Sequence, residues 1–251
     1  MAQATFRIWR TQPGGGGAFQ DYQTEVSEGM VVLDAVHRVQ AEQAPDLACR
    51  WNCKAGKCGS CSAEINGRPR LMCMTRLNSL NLNEPVTVEP MRTFPPIKDQ
   101  VTDVSWNFRV KKTIRKITPR PPDAPDGTYR FAQRDADRVQ EFRKCIECFL
   151  CQDVCHVLRD HREFNEFIGP RFLIYNAQLE MNPIDTADRL QDLKDKHGIG
   201  YCNITKCCTK VCPEGITITD NAIIPLKERV VDRFYDPVQK LFRMIVPDVG
   251  G

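Results

Sequence analysis

Residues 145–155 read CIECFLCQDVC, and residues 202–213 read CNITKCCTKVCP. The first string spaces its cysteines C-x2-C-x2-C-x3-C, a run in which the first three thiolates hold one iron-sulfur cluster and the fourth serves another. Such a run needs a partner, and the second string supplies it as C-x2-T-x2-C-x3-C-P, with Thr205 where a second cysteine would stand. The exchange assigns Cys145, Cys148, Cys151 and Cys212 to a [4Fe-4S] cube, and Cys155, Cys202 and Cys208 to a second centre. Three thiolates leave one corner of a cube without a protein ligand, so the second centre is expected to be [3Fe-4S]. Cys207, beside Cys208, leaves four residues before Cys212 instead of three and is read as a non-ligand.

Upstream, residues 53–61 read CKAGKCGSC, which places Cys53, Cys58 and Cys61 at C-x4-C-x2-C, with Cys73 following. This is the plant-type ferredoxin spacing for a [2Fe-2S] cluster. Gly56 and Gly59 let backbone N–H groups turn toward cluster sulfides and stabilise their negative charge. Structural zinc sites present two short-spaced pairs, and this loop does not. Cys49 is left over and is read as a free thiol.

The rest of the composition agrees. Thirteen cysteines in 251 residues are far too many for chance and sit in a chain larger than the disulfide-stapled secreted miniatures. The start, MAQATFRIWR, carries neither a basic leader nor an apolar signal core, so a cytosolic or already matured chain with reduced thiols is expected. Reduced, clustered thiolates are soft ligands that select iron clusters or zinc. The net charge of +3 gives no basis for nucleic-acid binding. No run approaches the roughly 18 to 20 apolar residues of a membrane span.

No cysteine lies between Cys73 and Cys145, which suggests two domains. In the first, Phe6 and Ile8 alternate, as do Tyr22, Thr24 and Val26, and Ala63 and Ile65 lead into an Asn66-Gly67 hairpin turn toward Leu71 and Cys73. Val32, Val36 and Val39 recur at helical spacing before Pro45, so one helix is expected to cross a small mixed sheet. Beyond it, Val101, Val104 and Phe108 suggest a short helix. The basic run Arg109, Lys111, Lys112, Arg115 and Lys116, with Pro119, Pro121 and Pro122 after it, reads as a solvated, stiff connector. Helices are expected around Arg138–Ile146, Arg171–Met181 and Ala222–Phe234, with Pro170 suited to a helix start. The fold class is α+β. It comprises a plant-type, β-grasp-like ferredoxin domain over 1–105, a linker over 106–137, and a helical bacterial-type two-cluster ferredoxin domain over 138–251.

Nothing else proposes a reaction: there is no P-loop, no G-x-G-x-x-G after a strand, no G-x-S-x-G and no H-E-x-x-H, so no catalytic residue is assigned. His37, His156, His161 and His197 are scattered, with His37 read as surface or packing and His197 as a helix-end residue ahead of Gly198. Such a chain is a wire whose ends must touch electron donors and acceptors.

At this point the chain resembles the iron-sulfur subunit of succinate dehydrogenase and fumarate reductase. The likeness runs from the early strands through CKAGKCGSC, the CIECFLC run, FIGPRFLIYNAQLE at 167–180 and CCTKVCPEGI at 207–216. The resemblance implies a flavoprotein partner holding FAD and the dicarboxylate site, docked on the [2Fe-2S] domain. It also implies membrane-anchor subunits facing the [3Fe-4S] end, where a quinone is the acceptor, with the chain peripheral on the cytoplasmic face of a bacterial inner membrane. The alternatives are a quinol:fumarate reductase subunit, and a soluble ferredoxin-like adaptor or heterodisulfide-reductase-like module. Where ubiquinone-linked members carry a proline, a tryptophan and a histidine, this chain has His156, Asp160 and Asn203. An acceptor site lying mostly in the membrane subunits, with His156 or His161 as polar contributors, is therefore expected.

Overall fold

The structure is a computed structural model that describes residues 2–239 and 241. The expected second domain extends to 251, so its last part, 240 and 242–251, lies outside the described residues.

Strands β1 (Ala2–Thr11) and β2 (Gly17–Val26) form an antiparallel hairpin in which Phe6 faces Tyr22. The alternation of Phe6 and Ile8 turns both inward, where neither is exposed to solvent. Helix α1 (Val32–Glu42) begins where Asp34 accepts a hydrogen bond from the Val31 amide at 3.1 Å. It buries Val32, Leu33, Val36 and Val39 against the sheet, and Arg38 ties it to the Glu25 carbonyl of β2. Strands β3 (Ser62–Ile65) and β4 (Arg68–Leu71) are joined at Asn66-Gly67, and β5 (Val86–Glu89) completes the order β2-β1-β5-β3-β4. Only the β1–β5 pairing is parallel among these strands, which makes the sheet mixed, as expected.

Beyond this sheet, β6 (Pro96–Lys98) pairs with β7 (Val101–Thr102). Val101 is therefore in a strand, and the short helix expected around it starts later, as α2 (Ser105–Thr113), where Asp103 accepts from the Ser105 amide. The basic run is partly engaged: Lys111 pairs with Glu147, and Arg115 reaches Asp192 at 2.7 Å. Arg109, Lys112, Arg115 and Lys116 are nonetheless exposed, so the run is a solvated face anchored at two points.

The second half is helical: α3 (Gln133–Arg143), α4 (Leu150–Asp153), α5 (His156–Arg159), α6 (Pro170–Glu180), α7 (Leu190–Asp195), α8 (Cys207–Val211) and α9 (Ile224–Phe234). Helix α3 lies earlier than the expected 138–146 because the backbone must leave the helix to wind past Cys145, with Glu147 at φ 55° and Phe149 at φ 61°. The last helix is preceded by a π-helical turn over Ile218–Ile223, so the helical stretch expected from Ala222 begins four residues sooner.

Helix α6 is buried on nearly all sides, with Phe172, Leu173, Ile174 and Ala177 almost inaccessible. Its start depends on Gly169, whose φ is +79°, because a Cβ there would lie 2.0 Å from Oε1 of the fully buried Gln152. That glutamine donates to the Ile168 carbonyl at 3.0 Å and so fixes α4 against the entry to α6. His197 follows α7 and its amide donates to the Asp192 carbonyl, which is the helix-end position expected. His37 packs edge-on against Trp51 at 4.7 Å.

Candidate metal centres

The β3–β4 hairpin explains the first cysteine set. Ser62 pairs with Leu71, so Cys61 and Cys73 leave the same end of the hairpin although they are far apart in sequence. The loop that brings Cys53 and Cys58 to them turns through Lys54 at φ 53° and through Gly56 and Gly59, both at φ 68°. The amides of Ala55 and Lys57 each donate to Cys53 Sγ at 3.3 Å, the N–H-to-sulfur bonding that lowers the cost of thiolate charge. Burial lifts the Cys58 thiol, but hydrogen bonds from Ser60 and Cys53 outweigh it and bring the thiol down to about 6. Burial, helped by the neighbouring Cys73, pushes Cys61 up to about 12. One thiol of this set is thus poised as a thiolate. Cys49 stands apart, its sulfur 3.9 Å from the Arg50 carbonyl and its thiol lifted by burial to about 11.

The other cysteines line two cavities. Cys145, Cys148, Cys151 and Cys212 surround one, together with Phe149, Arg171, Ile174 and Ile216. Cys155, Cys202 and Cys208 surround the second, with Cys207, Thr205, His156 and Thr219. Cys212 of the second run thus lines the cavity of the first run, and Cys155 of the first run lines that of the second. All of these thiols are free. Among the described residues, no three His, Cys, Asp or Glu side chains are gathered closely enough to hold a single metal ion. The sulfurs instead ring spaces with mostly apolar walls, a donor set that suits a thiolate-ligated iron-sulfide and offers little to a hard, oxygen-seeking cation. Burial pushes Cys148 and Cys155 up to about 12, Cys208 to about 11, and Cys151 well above its ordinary value. These thiols stay protonated until a cation compensates their charge, so cluster insertion must release protons.

The two loops repeat each other in backbone conformation. Two and four residues after Cys145, Glu147 and Phe149 adopt φ of 55° and 61°; two and four residues after Cys202, Ile204 and Lys206 adopt 60° and 61°. A positive φ is a genuine strain for the β-branched Ile204. The repeat aligns Cys148 with Thr205, Leu150 with Cys207, and Cys151 with Cys208. Phe149 and Lys206 then stand before α4 and α8 in the same role.

Several side chains unmarked by any motif bind these loops together. Ser62 Oγ lies 2.9 Å from the Cys148 carbonyl and 2.8 Å from that of Gly59. Lys57 of the first loop pairs with Glu214, two residues beyond Cys212, at 3.1 Å. Glu147 accepts from Arg171 at 2.6 Å and from Lys111, and although burial raises its carboxyl, these two cations hold it below the usual range. Glu64 on β3, wholly buried, meets Arg159 at 3.1 Å and Arg92 at 3.3 Å. Close by, the Thr93 amide donates to Asp153 at 3.0 Å. Only contacts between distant segments reveal these residues, and no local pattern carries that signal. His156 and His161 pack edge-on at 6.1 Å beside the second cavity.

A mixed sheet that brings one set of cysteines to a hairpin end and its loop, followed by a helical half with two cysteine-lined cavities, defines an iron-sulfur protein of the ferredoxin-fused class. Comparison with known proteins agrees. Residues 5–109 match the model of a 2Fe-2S iron-sulfur cluster binding domain, and residues 141–216 that of a 4Fe-4S dicluster domain. The chain is 32% identical over 212 residues to the fumarate reductase iron-sulfur subunit of Mycobacterium tuberculosis, covering 83% of this chain and 84% of that one. It is 30% identical over 220 residues to the mitochondrial succinate dehydrogenase [ubiquinone] iron-sulfur subunit 1 of Oryza sativa subsp. japonica, covering 84% and 77%. Among solved structures, a chain of the Mycobacterium smegmatis Sdh1 complex in the apo form superposes with a TM-score of 0.90 at 61% identity, covering 94% of this chain and 98% of that one. The chain belongs to the family of succinate dehydrogenase and fumarate reductase iron-sulfur subunits, and its order of domains, plant-type then dicluster, is the one read from the sequence. Among the described residues, no helix is long and apolar enough to cross a membrane.

Proposed function

We propose that this chain is the electron-relay subunit of a succinate:quinone oxidoreductase. In that reading Cys53, Cys58, Cys61 and Cys73 hold [2Fe-2S], Cys145, Cys148, Cys151 and Cys212 hold [4Fe-4S], and Cys155, Cys202 and Cys208 hold [3Fe-4S]. Bound there, such clusters supply single-electron transfer with little ligand rearrangement, at potentials tuned by charge, burial and hydrogen bonds to sulfur. The rest is the work of the chain. The amides of Ala55 and Lys57 aim at sulfur, the apolar walls around Cys151 and Cys208 exclude water, and the contacts of Ser62 and Lys57 keep the loops of the two halves adjacent.

The observation that carries the reading is the contact of the Cys53–Cys61 loop with the Cys145–Cys151 loop, beyond which Cys212 of the second run lines the cavity of the first and Cys155 of the first run lines that of the second. A relay of cysteine sets has a donor end and an acceptor end. We assign the first to a flavoprotein subunit holding FAD and the second to membrane-anchor subunits, with quinone as acceptor at the cytoplasmic face of the membrane. His156, which lines the second cavity, and His161 beside it are polar groups that would contribute at that end.

The relative from Mycobacterium tuberculosis, named a fumarate reductase subunit, favours a second reading in which the same complex oxidises quinol. Turnover of the intact complex decides between them. Succinate-driven quinone reduction faster than quinol-driven fumarate reduction supports the first reading, and the opposite ratio supports the second. Failure of both, with the chain isolated as a soluble protein free of flavin, refutes the assignment.

A further inference from the structure

The loop repeat sets an oddity in relief. Cys207 takes the place that Leu150 has in the first run, which is not a ligand position, and Thr205 takes that of the ligand Cys148. Leu150 is almost wholly buried. Cys207 is not, and its Sγ lies 3.2 Å from Thr205 Oγ1, at the side chain that replaces the missing ligand. Four thiols therefore line the second cavity, those of Cys155, Cys202, Cys207 and Cys208, where spacing assigns three.

We propose that Cys207 is a reserve ligand for the open corner of this centre, which lets it take up a fourth iron and become a [4Fe-4S] cube. The inference rests on the three-iron reading above and adds an iron-binding capacity to it. Charge and electrons balance without an unnamed reactant. A reduced three-iron core is neutral, so the addition of one Fe2+ gives a cube of charge 2+ with no further electron. Cys207 releases its thiol proton to solvent and forms the new iron-sulfur bond. An oxidised core, of charge 1+, first takes one electron from an added reductant such as dithionite. The hydroxyl of Thr205, which stands at the missing ligand's position, lies beside this sulfur at the start of α8. Relays of this kind gain a response to iron supply, because the three-iron and four-iron forms differ in potential.

The test uses the whole complex, anaerobically treated with dithionite and excess ferrous iron, desalted, and reoxidised under argon with a quinone. In the oxidised state only the three-iron centre is paramagnetic among the clusters assigned. The expected result is at least a fivefold loss of its EPR signal with a gain of about one iron per chain, while Cys207→Ala keeps both signal and iron count. The signals of the other two reduced clusters report that the variant has folded. Isolation of the untreated complex with a cube already in place, lost in Cys207→Ala in favour of the three-iron signal, supports the same role. An unchanged signal in the unsubstituted complex, or equal conversion in both proteins, overturns it. Zinc, or no iron, in the untreated complex overturns the parent reading as well, and the metal count before treatment tells the two failures apart.

Discussion

Gly59 and Cys148 touch: a Cβ built on Gly59 would lie 2.6 Å from Cys148 Cα and 2.9 Å from its Cβ. The two residues belong to different halves of the chain and to loops assigned to different clusters. Nothing larger than hydrogen fits between them, so the two halves are in close backbone contact here.

Gly59→Ala is expected to push these loops apart. It combines a positive φ with a backbone clash, and the cost should be about 2–3 kcal/mol. Gly67→Ala is the control, since Gly67 has φ +69° but nothing within 4 Å, and should cost only about 1 kcal/mol. Denaturation under argon compares the two. Electron transfer to the second half should fall in Gly59→Ala alone, and equal behaviour of the variants contradicts the contact's role.

The loop repeat aligns Cys208 with Cys151 and leaves Cys207 aligned with Leu150. Cys208→Ser should therefore abolish the oxidised three-iron EPR signal, while Cys207→Ser should retain it. Loss in the second variant and survival in the first would place the ligand one residue earlier.

Glu147 holds two cations, and Arg171 is only 6% exposed. Glu147→Ala leaves a buried guanidinium without its carboxylate and should cost about 2 kcal/mol or more, whereas Glu147→Gln retains an acceptor and should cost less. Chemical denaturation of both variants measures the difference. Equal losses would show that shape, and not charge, is what the site requires.

His197 is buried, which holds its imidazole below 6.5 against the pull of Asp192, with Lys196 adding to the depression. The unfolded chain takes up this proton near pH 6.5 while the folded protein does not, so stability is lost as pH falls from about 7 toward 5. Replacing His197 by Phe should flatten that slope in melting temperature by a few degrees. His37, depressed chiefly by burial and further by Lys54, acts in the same direction and leaves a residual slope. A slope unchanged in His197→Phe would remove His197 as a cause.

Cysteine spacing made the site legible in the sequence because cluster ligands must lie in short loops at fixed offsets. The hairpin at Asn66-Gly67 and the valines of α1 were legible for the same reason, as local patterns with one period. Strand β5 was not, since its short Val86-Thr87-Val88 segment takes its place between β1 and β3 only through non-local pairing. The end of α3 was misplaced because helical spacing continues past Arg143, whereas the chain is diverted by the loop around Cys145. Ser62, Glu64 and Glu214 carry no local signal at all. Their partners lie 86, 95 and 157 residues away.

The central claim is that three iron-sulfur centres occupy three sets of cysteines in one relay. Acid-labile sulfide, iron and zinc per copy of this chain, measured on anaerobically purified complex, test it most directly. About ten sulfides with about nine irons, or ten where the open corner is filled, and no stoichiometric zinc are expected. Zinc in place of iron, or sulfide enough for a single cluster only, contradicts it.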